Sequence, residues 1–214
     1  MADSELLEKL AALRAANCES MPTPEIAILT RSINRLRRQG FASQSLQLGE
    51  TAPDFEFVDN EGAEGSLYQA LTRGPAVLNF FRGYWCSYCR TELEAYERIR
   101  TQLDRLGCTY FAISPQAPET EDGASVSYQI VHDCNNTIAR HYGLVFSLDQ
   151  TERDLFASWG LFLDDVNGAW ELPIPATYVI KPDRTVGYAY VDVDFRMRCC
   201  PDQLLEELRG FCAS

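Results

Sequence analysis

One segment limits how this chain can fold more than any other. From Ala76 to Phe81 the residues are apolar except for Asn79, and the run continues through Arg82-Gly83-Tyr84-Trp85 into Cys86-Ser87-Tyr88-Cys89. An apolar run of this length, ended by a glycine-containing loop, reads as a strand buried on both faces. Beyond it Cys89, Leu93, Tyr96, Leu103 and Leu106 recur at helical spacing, which predicts a helix over Tyr88–Leu106. A buried strand that turns directly into a helix opens a βα unit, which calls for a sheet covered by helices.

The rest of the chain extends that pattern. Further strands are expected at Phe55–Val58, Thr109–Ser114, Ser127–His132, Ala176–Lys181 and Val186–Val191. Helices are expected near Ser66–Leu71, Asn136–Tyr142, Thr151–Trp159 and Asp202–Phe211. Pro182-Asp183-Arg184 is a short turn that makes the last two strands an antiparallel hairpin. The fold class is therefore α/β, with a mixed central sheet flanked by helices. Residues 1–44 differ. Leu6, Leu10 and Leu13 fall on one helical face, and Ile26, Leu29, Ile33 and Leu36 on another. Thr23-Pro24-Glu25 is a start signal, and Arg35, Arg37 and Arg38 before Gly40 make a stop. This gives a helical hairpin over 1–44 followed by an α/β domain over 45–214. The sequence leaves open whether the hairpin covers its own domain or pairs with a second copy in a homodimer.

With a formal net charge of −12, the chain is a poor match for a nucleic-acid backbone or an anionic membrane surface. The start, Met1-Ala2-Asp3-Ser4-Glu5, lacks a basic region and an apolar stretch, so a cytoplasmic protein with reduced thiols is expected. Eight cysteines in 214 residues are too few for a disulfide scaffold.

Cys86 and Cys89 are the cysteines with a chemical setting. Three residues apart at a helix start, their sulfurs lie on one side and close enough to form a reversible disulfide. The unpaired N–H groups and positive dipole end there favour a thiolate. A zinc site would need Cys199-Cys200 as its second pair, and adjacent residues are poorly spaced to chelate. Neither a metal nor an organic cofactor is called for. Cys108 reads as a small core hydrophobe, and Cys18, Cys134 and Cys212 have no motif around them. His132 and His141 have no ligand set nearby. Arg82 and Arg90 are the candidate cations, and Arg90 points about 100° away from the face of Cys89.

The stretch Phe80 to Leu93, with Cys86-Ser87-Tyr88-Cys89 at its centre, resembles the active-site segment of the peroxiredoxin-like branch of the alkyl hydroperoxide reductase/thiol-specific antioxidant (AhpC/TSA) family, within the thioredoxin-like superfamily. Gly49 to Phe55, Ala112 to Gln116 and Glu171 to Ile180 fit the same branch. The resemblance implies a thioredoxin-like fold with Cys89 in the peroxidatic place and Cys86 in the place of the usual hydroxyl, available to resolve. Glu92 matches the acidic residue that follows. Arg82, Tyr84, Trp85, Pro175 and Thr177 would support the pocket. Arg82 replaces the usual proline, and Pro175 stands where a thiolate-contacting arginine is usual, resembling instead the cis-proline opposite the cysteines of thioredoxins. Relatives in this branch carry a fuller helix between Pro118 and Ser127, so a trimmed connection and a more open rim are expected here. The implied activity is reduction of hydrogen peroxide or organic hydroperoxides, with thioredoxin or another dithiol as reductant. Two alternatives stand: a thiol–disulfide oxidoreductase with Cys86 as nucleophile, and a redox sensor without turnover. Cys199 and Cys200 are minor candidates for a resolving thiol.

Overall fold

The computed structural model describes residues 2–58, 62–117 and 128–212. It begins with the expected helical pair, α1 (Ala2–Ser20) and α2 (Thr23–Arg38). Pro24 sits at the start of α2, but no side chain caps it, so Thr23 does not make the expected hydroxyl cap. A small antiparallel ribbon, β1 (Glu56–Val58) and β2 (Glu64–Ser66), leads into α3 (Leu67–Leu71). Ser66 and Gln69 satisfy each other's backbone N–H groups at that helix start. The buried run forms β3 (Ala76–Phe80), followed by α4 (Ser87–Arg98) and α5 (Arg100–Arg105). The single helix expected over Tyr88–Leu106 is thus two. Ile99 leaves helical geometry (φ −94°, ψ 3°) with its side chain buried, so core packing overrides the continuous spacing.

Next come β4 (Thr109–Ser114), β5 (Gln129–His132), α6 (Thr137–His141), β6 (Val145–Ser147), α7 (Gln150–Ser158), α8 (Leu163–Asn167) and β7 (Glu171–Pro173). The chain closes with β8 (Ala176–Ile180), β9 (Val186–Val191) and α9 (Pro201–Cys212). The β6–β7 ribbon was not expected, because three-residue strands are too short to display a period. The expected trimmed connection over Glu119–Val126 lies outside the described residues. No helix among those described is long and apolar enough to cross a membrane.

The central sheet has five strands in the order β5-β4-β3-β8-β9. β3 pairs parallel with β4, and β4 with β5, while β8 is antiparallel to both β3 and β9. This is the mixed, thioredoxin-like α/β architecture expected. Strand alternation gives each face its own core. Leu78, Phe80, Phe111, Ile113, Tyr178 and Ile180 pack with Ile33 and Leu36 of α2 on one side. Val77, Phe81, Ala112 and Val179 pack on the other with α4, with Leu204, Leu205 and Leu208 of α9, and with Leu6 and Leu10 of α1. The helical hairpin therefore covers the cores of its own chain, one helix on each side. A partly buried ion pair, Arg35 to Glu152 at 2.8 Å, ties α2 to α7. One consequence of the strand directions positions the site. β9 runs in the direction of β3, so the residues after Val191 emerge at the same edge of the sheet as the loop after Phe80.

Candidate active site

The loop between β3 and α4 is fixed before the cysteines begin. Phe81 N–H donates to the Ile113 carbonyl at 2.9 Å, and Tyr84 N–H to the Gln116 side-chain oxygen at 2.7 Å. Gly83 has φ +140°, and a Cβ there would stand 2.5 Å from Trp85 Nε1 and 2.7 Å from Gln116 Oε1, so only glycine fits. Cys86 follows as the residue that precedes the first turn of α4, and Cys89 lies within that turn.

The two thiols are not equivalent. Cys86, 5% exposed, lines a cavity of about 230 Å³, whereas Cys89 is 0% exposed and lies behind it. The Cys89 thiol hydrogen-bonds the Cys86 sulfur and, against the cost of burial, holds Cys86 well below the usual thiol range, with help from the Arg82 and Arg198 charges. Burial pushes Cys89 well above that range, and its hydrogen bond to Cys86 and the charge on that sulfur push it further, while Arg198 and Arg82 oppose. Both directions favour the negative charge on Cys86 and the proton on Cys89.

Behind Cys89 lies a buried polar cluster. Arg198, between β9 and α9, donates from Nη2 to Cys89 Sγ at 3.3 Å, and its Nη1 lies 3.5 Å from Glu92 Oε2. Burial works against the Arg198 charge, but Cys89 and Glu92 outweigh it and hold the guanidinium firmly protonated. Burial also raises Glu92 to about 7, although Arg198 and a hydrogen bond with Asn79 oppose the rise. Asn79 on β3 faces Thr177 on β8 in register and donates to its hydroxyl at 3.5 Å.

Arg82 is buried in the cavity wall. Its guanidinium lies 4.4 Å from the Phe195 ring centre, 4.8 Å from Trp85 and 5.7 Å from Phe156, an aromatic clamp that keeps a desolvated cation in place. Burial lowers the Arg82 pKa, and the charges of Cys86 and Cys89 oppose that. Trp85 lines the cavity and stacks edge-on against Phe156 at 5.7 Å. Tyr88 also lines it, its hydroxyl accepting from Asn17 of α1 at 3.2 Å. Tyr84 packs instead against Phe81, outside that lining.

The sequence-derived candidates therefore divide. Cys86, Arg82 and Trp85 meet at the cavity, and Cys89, Glu92 and Thr177 lie in or beside the cluster behind it. Pro175 departs from expectation: no cis peptide bond occurs among the described residues, and this proline lines a smaller neighbouring cavity of about 30 Å³ together with Arg82. Arg90 is exposed on the helix. Cys199 is buried, within 3.7 Å of the Tyr188 hydroxyl, with its thiol pushed up to about 12 by burial, and it does not line the cavity of Cys86. His132 meets the Pro115 carbonyl at 3.1 Å, and His141 is exposed.

The residue that sequence reasoning missed is Arg198. The vacancy at Pro175 suggested that no later arginine reaches the sulfurs, yet one arrives from beyond β9. The available signal was topological: a β8–β9 hairpin beside β3 returns residues 192–200 to the edge where Cys86 sits, and that stretch carries Arg196 and Arg198.

Known proteins place this arrangement. The thiol-disulfide oxidoreductase ResA of Geobacillus thermodenitrificans is 27% identical over 105 residues, covering 47% of this chain and 59% of that protein, so the chain spans less than two thirds of the relative's length. Among solved structures, the peroxidoxin BcpB of Mycobacterium tuberculosis superposes with a TM-score of 0.56 at 21% identity, covering 77% of this chain and 97% of that one. Peroxiredoxin Q of Xanthomonas campestris gives 0.57 at 14%, covering 78% and 97%, and peroxiredoxin 6 of Arenicola marina gives 0.60 at 18%, covering 77% and 72%. At those identities the structures speak for the fold, which is the peroxiredoxin form of the thioredoxin-like architecture. The family model of AhpC/TSA matches residues 48–189, well over half of the sequence, and the chain belongs to that family.

Proposed function

We propose that this protein is a two-cysteine thiol peroxidase in which Cys86 makes the first attack and Cys89 resolves. The observation that carries this order is the placement of Cys86 on the cavity wall with Cys89 fully enclosed behind it. It reverses the order implied by the family register, where Cys89 takes the peroxidatic place. The Cys86 thiolate attacks one oxygen of a hydroperoxide, the O–O bond breaks, and the departing alkoxide or hydroxide takes up a proton. The Arg82 charge on the same wall stabilises that developing anion. Cys89 then gives up its proton and attacks the Cys86 sulfenic acid, forming the Cys86–Cys89 disulfide and releasing water. Arg198, already donating to Cys89 Sγ, favours that second thiolate. A dithiol such as thioredoxin supplies the two electrons that reopen the disulfide.

A second reading is thiol–disulfide exchange with the same order of attack. The asymmetry between an accessible thiolate and an enclosed thiol supports it equally, and ResA, a thiol-disulfide oxidoreductase, is among the relatives.

Stopped-flow oxidation of the reduced protein separates the readings. Cys86→Ser is expected to slow oxidation by hydroperoxide roughly a thousandfold or more, the scale of losing a nucleophile. Cys89→Ser is expected to oxidise once and carry a dimedone adduct on Cys86. An adduct on Cys89 in the Cys86→Ser protein restores the family order. Faster oxidation by glutathione disulfide than by any hydroperoxide selects the second reading.

A further inference from the structure

The cavity over Cys86 is roofed by the helical hairpin, and its lining differs from the rest of the molecule. The chain carries 31 acidic against 19 basic residues, yet the lining holds Arg14, Arg82 and Arg196 and no aspartate or glutamate. Its remaining wall is largely apolar, with Met21, Ile26 and Leu29 from the hairpin facing Trp159, Leu161 and Phe195. The three cations are not alike. Arg196 is occupied by Asp194, which accepts from its Nε at 2.7 Å and its Nη2 at 2.8 Å. Arg82 is buried beside Cys86 in its aromatic clamp. Glu25, at the hairpin, accepts from Trp159 Nε1 at 3.0 Å. Arg14 is exposed at the mouth and makes no ion pair among the described residues.

We propose that the cavity selects an organic hydroperoxide with a single aryl ring or short alkyl body and one carboxylate, and that Arg14 reads the carboxylate. This rests on the peroxidase reading above. A cavity of about 230 Å³ exceeds the roughly 150 Å³ that holds benzene, which matches a body of one ring with its substituents. Hydrogen peroxide would leave the apolar wall uncovered. With the hydroperoxide group at Cys86 and Arg82, the body lies along the hairpin side chains and an anionic end reaches Arg14, the exposed cation of the lining, which pairs with no carboxylate among the described residues.

Three probes test this: cumene hydroperoxide with a para-carboxylate, the methyl ester of that compound, and unsubstituted cumene hydroperoxide. In oxidation of the reduced protein at low salt, the carboxylate is expected to outpace its ester about three- to fivefold, the scale of a partly exposed ion pair, and to lose that lead as ionic strength rises. Arg14→Lys should keep the preference, Arg14→Gln should remove it, and Arg14→Glu should invert it. Equal rates for acid and ester in the unaltered protein, or a preference that survives Arg14→Glu, overturns the assignment. Calorimetry of the reduced protein with 4-isopropylbenzoate, which carries no peroxide, separates the two proposals. Binding weakened by Arg14→Glu supports the pocket even if no hydroperoxide oxidises Cys86, in which case the peroxidase reading falls alone. Oxidation by all three probes without binding of 4-isopropylbenzoate leaves the peroxidase standing and ends the specificity proposal.

Discussion

Alternate residues of the same strands build the two faces of the central sheet, and the faces differ in kind. Leu78, Phe80, Tyr178 and Ile180 meet a core formed by apolar and aromatic side chains from α2, α3 and α6. One residue along each strand, Asn79 and Thr177 point the other way, toward Cys89, Glu92 and Arg198. Taking charges out of water costs several kcal/mol per ion, and pairing recovers that only with good geometry. The polar cluster on the second face therefore gives up stability to hold a cation and a titrating carboxyl beside a sulfur, and the apolar packing of both faces has to supply the surplus. The first face holds packing alone, whereas the second sets the reactive cluster within its own apolar core.

The largest effect that tests this division is expected on the apolar face. Phe80, fully buried and packed against Tyr142 and Tyr178 at 5.0 and 6.2 Å, should lose about 3–5 kcal/mol of unfolding free energy on substitution to alanine. Oxidation of the fraction that remains folded should proceed at the unaltered rate. Denaturant unfolding and stopped flow on one sample check both halves, and a slowed folded fraction would show that the faces are coupled.

On the polar face the mark is pH dependence. Glu92 titrates near 7 in the folded chain and near 4.5 when exposed, so between those values the folded state keeps a proton that the unfolded state has released. Its contribution to stability is highest below about pH 4.5, falls as pH rises through that window, and stays low above it. A displacement of that size corresponds to about 3 kcal/mol. Glu92→Gln should remove that decline from the stability measured between pH 5 and pH 8, whereas Phe80→Ala should shift the curve without changing its slope. Parallel curves for Glu92→Gln and the unaltered protein would mean that Arg198 keeps the carboxyl ionised throughout.

How much of this was legible in the sequence follows from the range of each signal. The apolar run Ala76 to Phe81 and the helical spacing after it gave strand, loop and helix directly, because burial and periodicity are local. The pairing of Asn79 with Thr177 and the reach of Arg198 to Cys89 span 98 and 109 residues, and depend on which strands become neighbours. The depth order of the two cysteines was legible, since Cys89 lies on the apolar stripe with Leu93 and Tyr96 and Cys86 precedes the helix as the more exposed of the two. The cavity over Cys86 was hidden for a related reason. A three-residue spacing puts both sulfurs on one side of the helix, and burial beneath the neighbouring elements then decides which one faces a cavity. Pro175 misled because a proline at that place in a thioredoxin is cis, and nothing local to Ile174-Pro175-Ala176 announces that this one is trans.

The smallest effect tests the division within the polar face, between a buried and an exposed cation. Arg82 and Arg90 flank the cysteines in sequence and carry the same charge. Arg82 is clamped between aromatic rings in the cavity wall, where low polarisability strengthens its field at Cys86, while Arg90 is exposed and screened by water and salt. Removing the buried charge raises the Cys86 pKa, since the thiolate loses the cation that favours it, and in the proposed peroxidase cycle takes away the charge facing the departing oxygen. Arg82→Met is expected to slow oxidation by hydroperoxide about tenfold, the equivalent of about 1.4 kcal/mol, and to move the alkaline limb of the pH–rate profile upward. Arg90→Met is expected to leave both where they are. Equal small effects would mean that the helix start and the Cys89 hydrogen bond suffice for the thiolate, and that the aromatic clamp on Arg82 serves packing alone.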